Sequence, residues 1–317
     1  MRFDYDDINL VQRYSTVDSR SECDTTIQFG EHTFKNCVIP ANMESVINEE
    51  LAVKLAKGGY FYVMHRFDVD NIEFSRMMKK KGLISSISIG VNQDAYELID
   101  QFYNDGSYSE TLVPDYITID IAHGHCRKMK KMIKYIKEKL PNVFLIAGNV
   151  GTIDATVDLD NWGADAIKVG IGPGSACTTY PTTGFGSRNI QASVVHECSL
   201  VTKKHIIADG GIKSPADISK SIVLGASMCM VGGMLSSFID SPGRTIEQDG
   251  RKYKEFYGSA SANQSKKSKR IEGTVKLNLM KNYTMLDYMD YISECLESAI
   301  SYGGGTKLDD LHSVKWI

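Results

Sequence analysis

The sequence predicts an α/β fold, a (β/α)8 barrel of the TIM type, on three observations. Eight short apolar runs lie between Val38 and Val231, spaced by roughly 20 to 40 residues, the length of a strand–helix–strand unit. The runs are nearly continuous in apolar character, as strands covered on both faces are. The segments between them carry helical periodicity and helix caps. Eight such units in succession describe a barrel with its helices outside. A doubly wound sheet has the same element order and stays open at this point, because one sequence does not give strand order.

The eight runs are Val38 to Ala41, Tyr60 to Met64, Ile84 to Ile89, Tyr116 to Asp120, Val143 to Ala147, Ala166 to Val169, His205 to Ala208 and Met228 to Val231. Residues 1–37 precede the first and are expected to form a lid or an oligomer contact. After the fourth run, Met129, Met132, Ile133, Ile136 and Leu140 recur at helical spacing with lysines between them, and Pro141 ends the pattern. After the seventh, Ser214-Pro215-Ala216-Asp217 supplies a capping hydroxyl, a proline for the first helical position and an acid for the first turn. Residues 240–282 are rich in serine and include Lys266-Lys267-Ser268-Lys269-Arg270. They are expected to form a long mobile loop after the eighth strand. A C-terminal helical tail follows, amphipathic from Leu286 to Ile300 and ending at Gly303-Gly304-Gly305. With no interdomain linker in view, residues 1–317 are expected to form a single barrel domain.

Composition narrows the class. The chain has 317 residues and a net charge of −3, which gives no reason to expect nucleic acid or an anionic membrane as partner. The acidic N-terminus lacks the apolar stretch of a signal peptide. The longest apolar runs fall far short of the roughly 20 residues of a membrane span. Seven cysteines (Cys23, Cys37, Cys126, Cys177, Cys198, Cys229, Cys295) are scattered and form no C-x-x-C pair, so neither a disulfide framework nor a zinc site is indicated. The expectation is a cytoplasmic protein whose thiols are structural, with one exception.

In a barrel the chemistry sits at the C-terminal ends of the strands. Gly210-Gly211 and Gly232-Gly233 follow the seventh and eighth runs, where bare backbone amides bind phosphate in many barrels. Asp209 beside them suits ribose hydroxyls, so a ligand with a 5′-phosphate and a ribose fits both. The plainer alternative is that each glycine pair only turns a corner. After the sixth run, Gly170-Ile171-Gly172-Pro173-Gly174-Ser175-Ala176-Cys177-Thr178-Thr179 cannot continue a strand and presents one cysteine at the rim of a tight turn. Cys177 is thus a candidate nucleophile, weighed against a buried thiol acting as a small apolar side chain. Lys168 offers Schiff-base chemistry, although a salt-bridged lysine is the simpler account. His123, His125 and Cys126 lack the further ligands that a metal needs. Gly303 to Lys307 lacks the phosphate-loop spacing, and no dinucleotide fingerprint opens a strand–helix unit.

The loop Gly170–Thr179 resembles the catalytic-loop signature of the IMP dehydrogenase and GMP reductase family. Asp209-Gly210-Gly211-Ile212, Gly232-Gly233-Met234-Leu235, Tyr253 to Ser259 and Glu272-Gly273 fit the same family, and the likeness runs almost end to end. Within it the chain is most similar to the shorter bacterial reductases. No interval between the predicted strands holds the regulatory insert common in the dehydrogenases. The segment Ser261–Arg270 also lacks their water-activating Arg-Tyr pair.

The resemblance implies an NADPH-dependent oxidoreductase that converts GMP to IMP and ammonia through a cysteine thioimidate, in purine salvage. It implies catalytic roles for Cys177 as nucleophile and for Thr179 backed by Glu272 as proton shuttle. Substrate would meet Asp209, Gly210, Gly211, Gly232, Gly233, Gly258, Ser259, Lys269, Arg270 and Gly273. The cofactor would meet Arg66, Asp120, Ile121, Ala122, Ile171 and Gly172, with Ser21 or the 298–301 segment of a neighbouring subunit. A monovalent cation such as potassium would sit among the carbonyls of Gly172, Gly174, Cys177 and Tyr180, the last standing where an arginine or lysine is expected. A homotetramer is implied as well. The alternatives are an IMP dehydrogenase without the insert, a Lys168 Schiff-base lyase and a non-catalytic purine-nucleotide-binding barrel.

Overall fold

The structure is a computed structural model that describes residues 2–108, 112–258 and 274–317. A hairpin, β1 (Ile27–Phe29) and β2 (His32–Phe34), precedes the alternating part of the chain. Then follow β3 (Val38–Pro40), α1 (Glu49–Lys57), α2 (Asn71–Lys80), β4 (Ser86–Ile89), α3 (Gln93–Tyr108), β5 (Tyr116–Asp120), α4 (Arg127–Lys139), β6 (Phe144–Val150), α5 (Ile153–Trp162), β7 (Ala166–Val169), α6 (Thr179–Thr183), α7 (Gln191–Ser199), β8 (His205–Asp209), α8 (Pro215–Val223) and β9 (Met228–Val231). The last elements are β10 (Thr245–Gln248), β11 (Arg251–Tyr257), β12 (Val275–Leu279) and α9 (Met285–Tyr302).

Strands β4 to β9 pair in chain order, all parallel, and β9 then pairs with β3, the first strand of the series. That circular order is a curled barrel sheet. A doubly wound sheet would instead reverse direction at a switch point. The eighth place belongs to residues 60–64. The sequence predicts a strand there, but the structure gives an extended segment with a single bridge, Met64 to Ile87. Its side chains are entirely buried, Tyr60 to Met64 at 1% exposure or less, and the Lys35 amide donates to the Gly59 carbonyl on its other side. Burial and two side-chain bonds, from the Tyr62 hydroxyl to the Ile84 carbonyl at 2.8 Å and from Ser88 Oγ to the Met64 carbonyl at 2.6 Å, hold this segment where a ladder holds the others.

The predicted helices form for the expected reasons. In α4, Met129, Met132, Ile133 and Ile136 are the buried stripe. In α8, Ser214 and Asp217 make a reciprocal capping box with Pro215 at the first position. The predicted tail helix is α9, extended by one residue at its start and two at its end.

Two expectations are corrected. Residues 1–37 do not form a lid over the strand ends where chemistry was sought. Phe29, fully buried, packs against Phe61, Tyr116, Phe144 and His205 at 4.8–6.0 Å between ring centres. These residues stand at the N-terminal ends of their strands, so the hairpin plugs the opposite mouth. The residues before it are stitched to the chain's other end, with the Asn9 amide on the Ile317 carbonyl and the Val11 amide on the Lys315 carbonyl.

Residues 240–282, expected to be a loop, contain the antiparallel sheet β10–β11–β12. Its alternation was hidden because only Lys254 and Phe256 of β11 are buried. The Lys254 ammonium donates to the Ser241 carbonyl at 2.8 Å, and the Asn278 amide to Ser236 Oγ at 2.7 Å. The Tyr257 amide donates to Ser45 Oγ at 3.2 Å. These bonds seat the sheet on the chain leaving β3 and β9. Among the described residues no helix is long and apolar enough to cross a membrane.

Candidate functional site

A cleft of about 620 Å³ opens at the C-terminal ends of the barrel strands. Its floor is a buried charge cluster. Lys168, the third residue of β7, is 2% exposed, and its ammonium donates to Asp120 Oδ1 at 2.7 Å and Asp209 Oδ2 at 3.0 Å. Asp120 ends β5 and Asp209 ends β8, so the barrel's curvature brings both carboxylates over one strand. Burial by itself would depress the Lys168 pKa, but the two carboxylates outweigh it and the net displacement is upward. Burial likewise pushes Asp120 up, and Lys168, Asn42 and Arg66 together hold it below the usual carboxylate value. A lysine held so firmly charged lacks the free electron pair of a Schiff-base nucleophile. The salt-bridged account of Lys168 is the one borne out.

Amide side chains complete the floor. Asn42 Nδ2 donates to Asp120 Oδ2 at 3.0 Å. Asn149 Nδ2 donates to Asp209 Oδ2 and to the Gly170 carbonyl, both at 2.7 Å. Gln191 Nε2 donates to the Val169 carbonyl at 2.8 Å, and Ser187 Oγ bonds to Gln191 Oε1 at 2.5 Å. The Ser187 amide donates to the Ile171 carbonyl at 2.8 Å. The start of the glycine-rich loop is therefore fastened by three polar side chains. Gly170 has φ +151°, and a Cβ there would stand 2.0 Å from the Asp209 carbonyl oxygen. Only glycine lets β7 turn out of the barrel this close to β8.

From that anchored base the loop carries Cys177 to the rim. The Cys177 thiol donates to Thr179 Oγ1 at 3.3 Å, and its amide donates to the Gly174 carbonyl at 3.0 Å. Cys177 is half-buried. Cys198 on α7 and Cys229 on β9 are buried away from the cleft, and burial raises both pKa values. Thr178 Oγ1, beside Cys177, is buried without a partner. Gly172 (φ +75°) packs against the Tyr180 amide, and the Tyr180 carbonyl accepts the Gly184 amide at 2.8 Å. The Tyr180 ring lies 6.0 Å from the Arg188 guanidinium, so a cation stands beside this position although the residue itself is aromatic.

Most of the expected residues come together here. Arg66, Asp120, Ile121, Ala122, Ile171, Gly172, Gly174, Cys177 and Thr179 line the cleft, as do Asp209, Gly210, Gly211, Gly232, Gly233 and Gly258. Arg66 Nε is buried without a partner. A Cβ on Gly232 or Gly233 would meet the Phe256 ring at 3.4–3.5 Å, ordinary contact distance, so no crowding in the protein itself demands glycine there. Ser21 does not join them. It is exposed in a short 3-10 turn beside α9, where Arg20 donates to Ser298 Oγ at 3.1 Å. Ser21 and the 298–301 segment thus share one surface outside this cleft. Ser259, Lys269, Arg270, Glu272 and Gly273 lie outside the described residues. The residue after them, Thr274, donates its amide to the Ala176 carbonyl at 3.0 Å, one residue from Cys177.

Two further groups line the cleft without having been assigned from the sequence. Phe256 covers Gly232 and Gly233, and Asn278 reaches both the Gly233 carbonyl and Ser236. Asn278 carried no signal, because it lies on a strand the sequence did not reveal. No metal centre forms around His125, which bonds to Asp158 at 2.8 Å. Among the described residues no three His, Cys, Asp or Glu side chains converge.

Comparison with known proteins adds one consistent result. The model for the IMP dehydrogenase / GMP reductase domain matches residues 2–315. A GMP reductase of Acidovorax sp. (strain JS42) is 49% identical over 315 residues, covering 99% of this chain and 95% of that protein. A GMP reductase of Pediococcus pentosaceus is 50% identical over 316 residues with the same coverage. One of Bacillus subtilis (strain 168) is 48% identical over 316 residues, again with that coverage.

Proposed function

Because the chain belongs to the IMP dehydrogenase / GMP reductase family, we propose that it is an oxidoreductase catalysing the NADPH-dependent reductive deamination of GMP to IMP and ammonia. The observation that carries this reading is the Cys177–Thr179 pair, 3.3 Å apart at the rim of the cleft lined by Asp209 and both glycine pairs. The relatives named above are GMP reductases that align over nearly their whole length, with no regulatory insert. As a single barrel domain the chain would carry the complete site, apart from any contribution of a neighbouring subunit.

In this proposal Gly211, Gly232 and Gly233 take the 5′-phosphate through backbone amides, Gly210, whose amide donates to the Met230 carbonyl at 3.3 Å, brings the chain round beside them, and Asp209 accepts ribose hydroxyls. Both protein bonds to the Asp209 carboxylate fall on Oδ2. Cys177, as thiolate, attacks C2 of the purine and forms the C–S bond. The 2-amino group leaves as ammonia when Thr179 passes it a proton, which Glu272 replenishes. NADPH, when bound, supplies the hydride that reduces C2 of the thioimidate. The C–S bond then breaks, its electron pair returns to Cys177, and IMP is released. GMP, NADPH and two protons thus give IMP, ammonium and NADP⁺.

The cofactor half of the cleft would be formed by Arg66, Asp120, Ile121, Ala122, Ile171 and Gly172. The unpartnered Arg66 Nε fits an anionic or polar ligand there. Ser21 and the 298–301 segment fit this scheme only as groups donated by a second copy in a homotetramer, since on this chain they lie elsewhere. For a potassium ion, the Gly174 and Tyr180 carbonyls each carry one hydrogen bond and keep a second lone pair, and those of Gly172 and Cys177 belong to the same compact loop. The base would lie near Cys177 and the segment Lys269 to Gly273.

The test is to follow nicotinamide absorbance with GMP and with IMP, each offered reduced and oxidised cofactor. Oxidation of NADPH dependent on GMP, with ammonia released, supports the proposal. XMP formed from IMP and NAD⁺ would replace it with the dehydrogenase reading, and binding without turnover with the non-catalytic one.

A further inference from the structure

Lys168 takes no part in the chemistry proposed above, yet it is the most deeply buried charge of the cleft and bridges its two halves. On one side is Asp120, assigned to the cofactor; on the other is Asp209, assigned to the substrate ribose. Their carboxylates belong to strands separated by β6 and β7 in the sheet order. Their only shared cationic partner among the described residues is the Lys168 ammonium, at 2.7 and 3.0 Å. The remaining contacts are not shared. Asn42 holds Asp120 alone, and Asn149 holds Asp209 alone. Two carboxylates facing one interior would repel each other and turn away without a cation between them. A side chain on β7 that touches both therefore sets the orientation of each.

We infer that Lys168 is a positioning residue that fixes Asp120 and Asp209 together, so that one ammonium orients both the substrate and the cofactor half-sites. The inference rests on the assignment of those half-sites to GMP and NADPH. Met230 Sδ, 3.7 Å from the ammonium, closes its remaining side. With both acids and this sulfur around it, Lys168 has no room to serve as a proton donor to substrate, which limits it to positioning.

The experiment compares three variants of the full chain by direct binding, using the intrinsic fluorescence of NADPH and calorimetry for GMP. Lys168→Met alone leaves two buried carboxylates without a cation and endangers the fold. The informative pair is therefore Asp209→Asn and the charge-balanced double variant Lys168→Met/Asp209→Asn. Asp209→Asn should weaken GMP and leave NADPH affinity within about twofold. The double variant should in addition weaken NADPH by about tenfold, the worth of a hydrogen bond to a charged group, although Asp120 itself is untouched. Lys168→Arg, which keeps the charge and both acids, should recover part of the NADPH affinity. Equal NADPH affinity in Asp209→Asn and the double variant would overturn the inference while leaving the proposed activity standing. A wild-type chain that binds neither ligand would overturn the activity, and the inference with it.

Discussion

A Cβ added to Gly170 would lie 2.0 Å from the carbonyl oxygen of Asp209, far closer than a Cβ approaches any unbonded heavy atom. The residue that starts the cysteine loop and the residue that ends β8 are thus in backbone contact. Gly170→Ala should therefore cost roughly 3 kcal/mol or more, combining overpacking with an unfavourable φ. A denaturation midpoint measures this. The same variant should lose turnover even where it stays folded, because Cys177 rides on that loop. A variant as stable and active as the parent would show that the loop leaves β7 differently.

Cys177→Ala should abolish GMP-dependent NADPH oxidation, lowering kcat by roughly a thousandfold or more, with GMP affinity little changed. Thr179→Val should lower kcat by roughly a hundredfold, the scale of a general-acid contribution. It should leave a slower but measurable attack by the thiol. Steady-state kinetics with calorimetric titration of GMP separates the two outcomes. Retained turnover in Cys177→Ala would remove the covalent mechanism.

Phe29→Ala should destabilise the protein by about 3–5 kcal/mol, as for a fully buried phenylalanine. Its ring meets four others at the base of the barrel, at the opposite mouth from the cleft. The KM values of the folded variant should stay within about twofold, since additivity fails mainly between neighbours. A large change in KM would mean that the plug communicates with the cleft.

Stability should fall as the solution is acidified through the ordinary histidine range. Burial lowers the pKa of His205, packed against Phe29 and Phe144, and that of His65. The unfolded chain takes up a proton on each near pH ~6.5, while the folded chain holds them neutral. The stabilisation is complete above that value and is lost as pH falls towards the lower folded pKa. His205→Phe should flatten the decline in Tm between about pH 8 and pH 5. An unchanged slope would show that His205 is protonated within the fold.

These outcomes also mark what the sequence could and could not tell. Ala166 to Val169 announced a buried strand by an apolar character that only Lys168 interrupts, and the glycines after it announced a turn, so β7 and its loop were legible. Lys168 was visible as a lysine inside an apolar run, but its partners Asp120 and Asp209 are 48 and 41 residues away in sequence. Only the circular pairing of β5 to β8 brings them together. Residues 240–282 misled for a different reason. Their sheet buries just one face on the barrel, and the other face of its strands carries charged and polar residues such as Arg251, Lys252 and Lys276 that ordinarily mark loops. The hairpin at Ile27–Phe34 was too short for an alternation signal, and the place of Phe29 depends on four rings contributed by separate strands.

The seam at residues 60–64 bears on how the barrel responds to force and to solvent. Each of its neighbours is locked to the sheet through successive register pairs, whereas this segment has one backbone bridge to β4, and its other ties there run through the side chains of Tyr62 and Ser88. A cylinder with one unsewn stave yields first along that stave. Hydrogen exchange should accordingly report earlier opening at Phe61, Tyr62 and Val63 than at the equally buried residues of β5 or β7. That stave leads directly into His65 and Arg66, so the guanidinium in the cleft is mounted on the wall expected to yield first, while Asp120 and Asp209 stand on fully laddered strands.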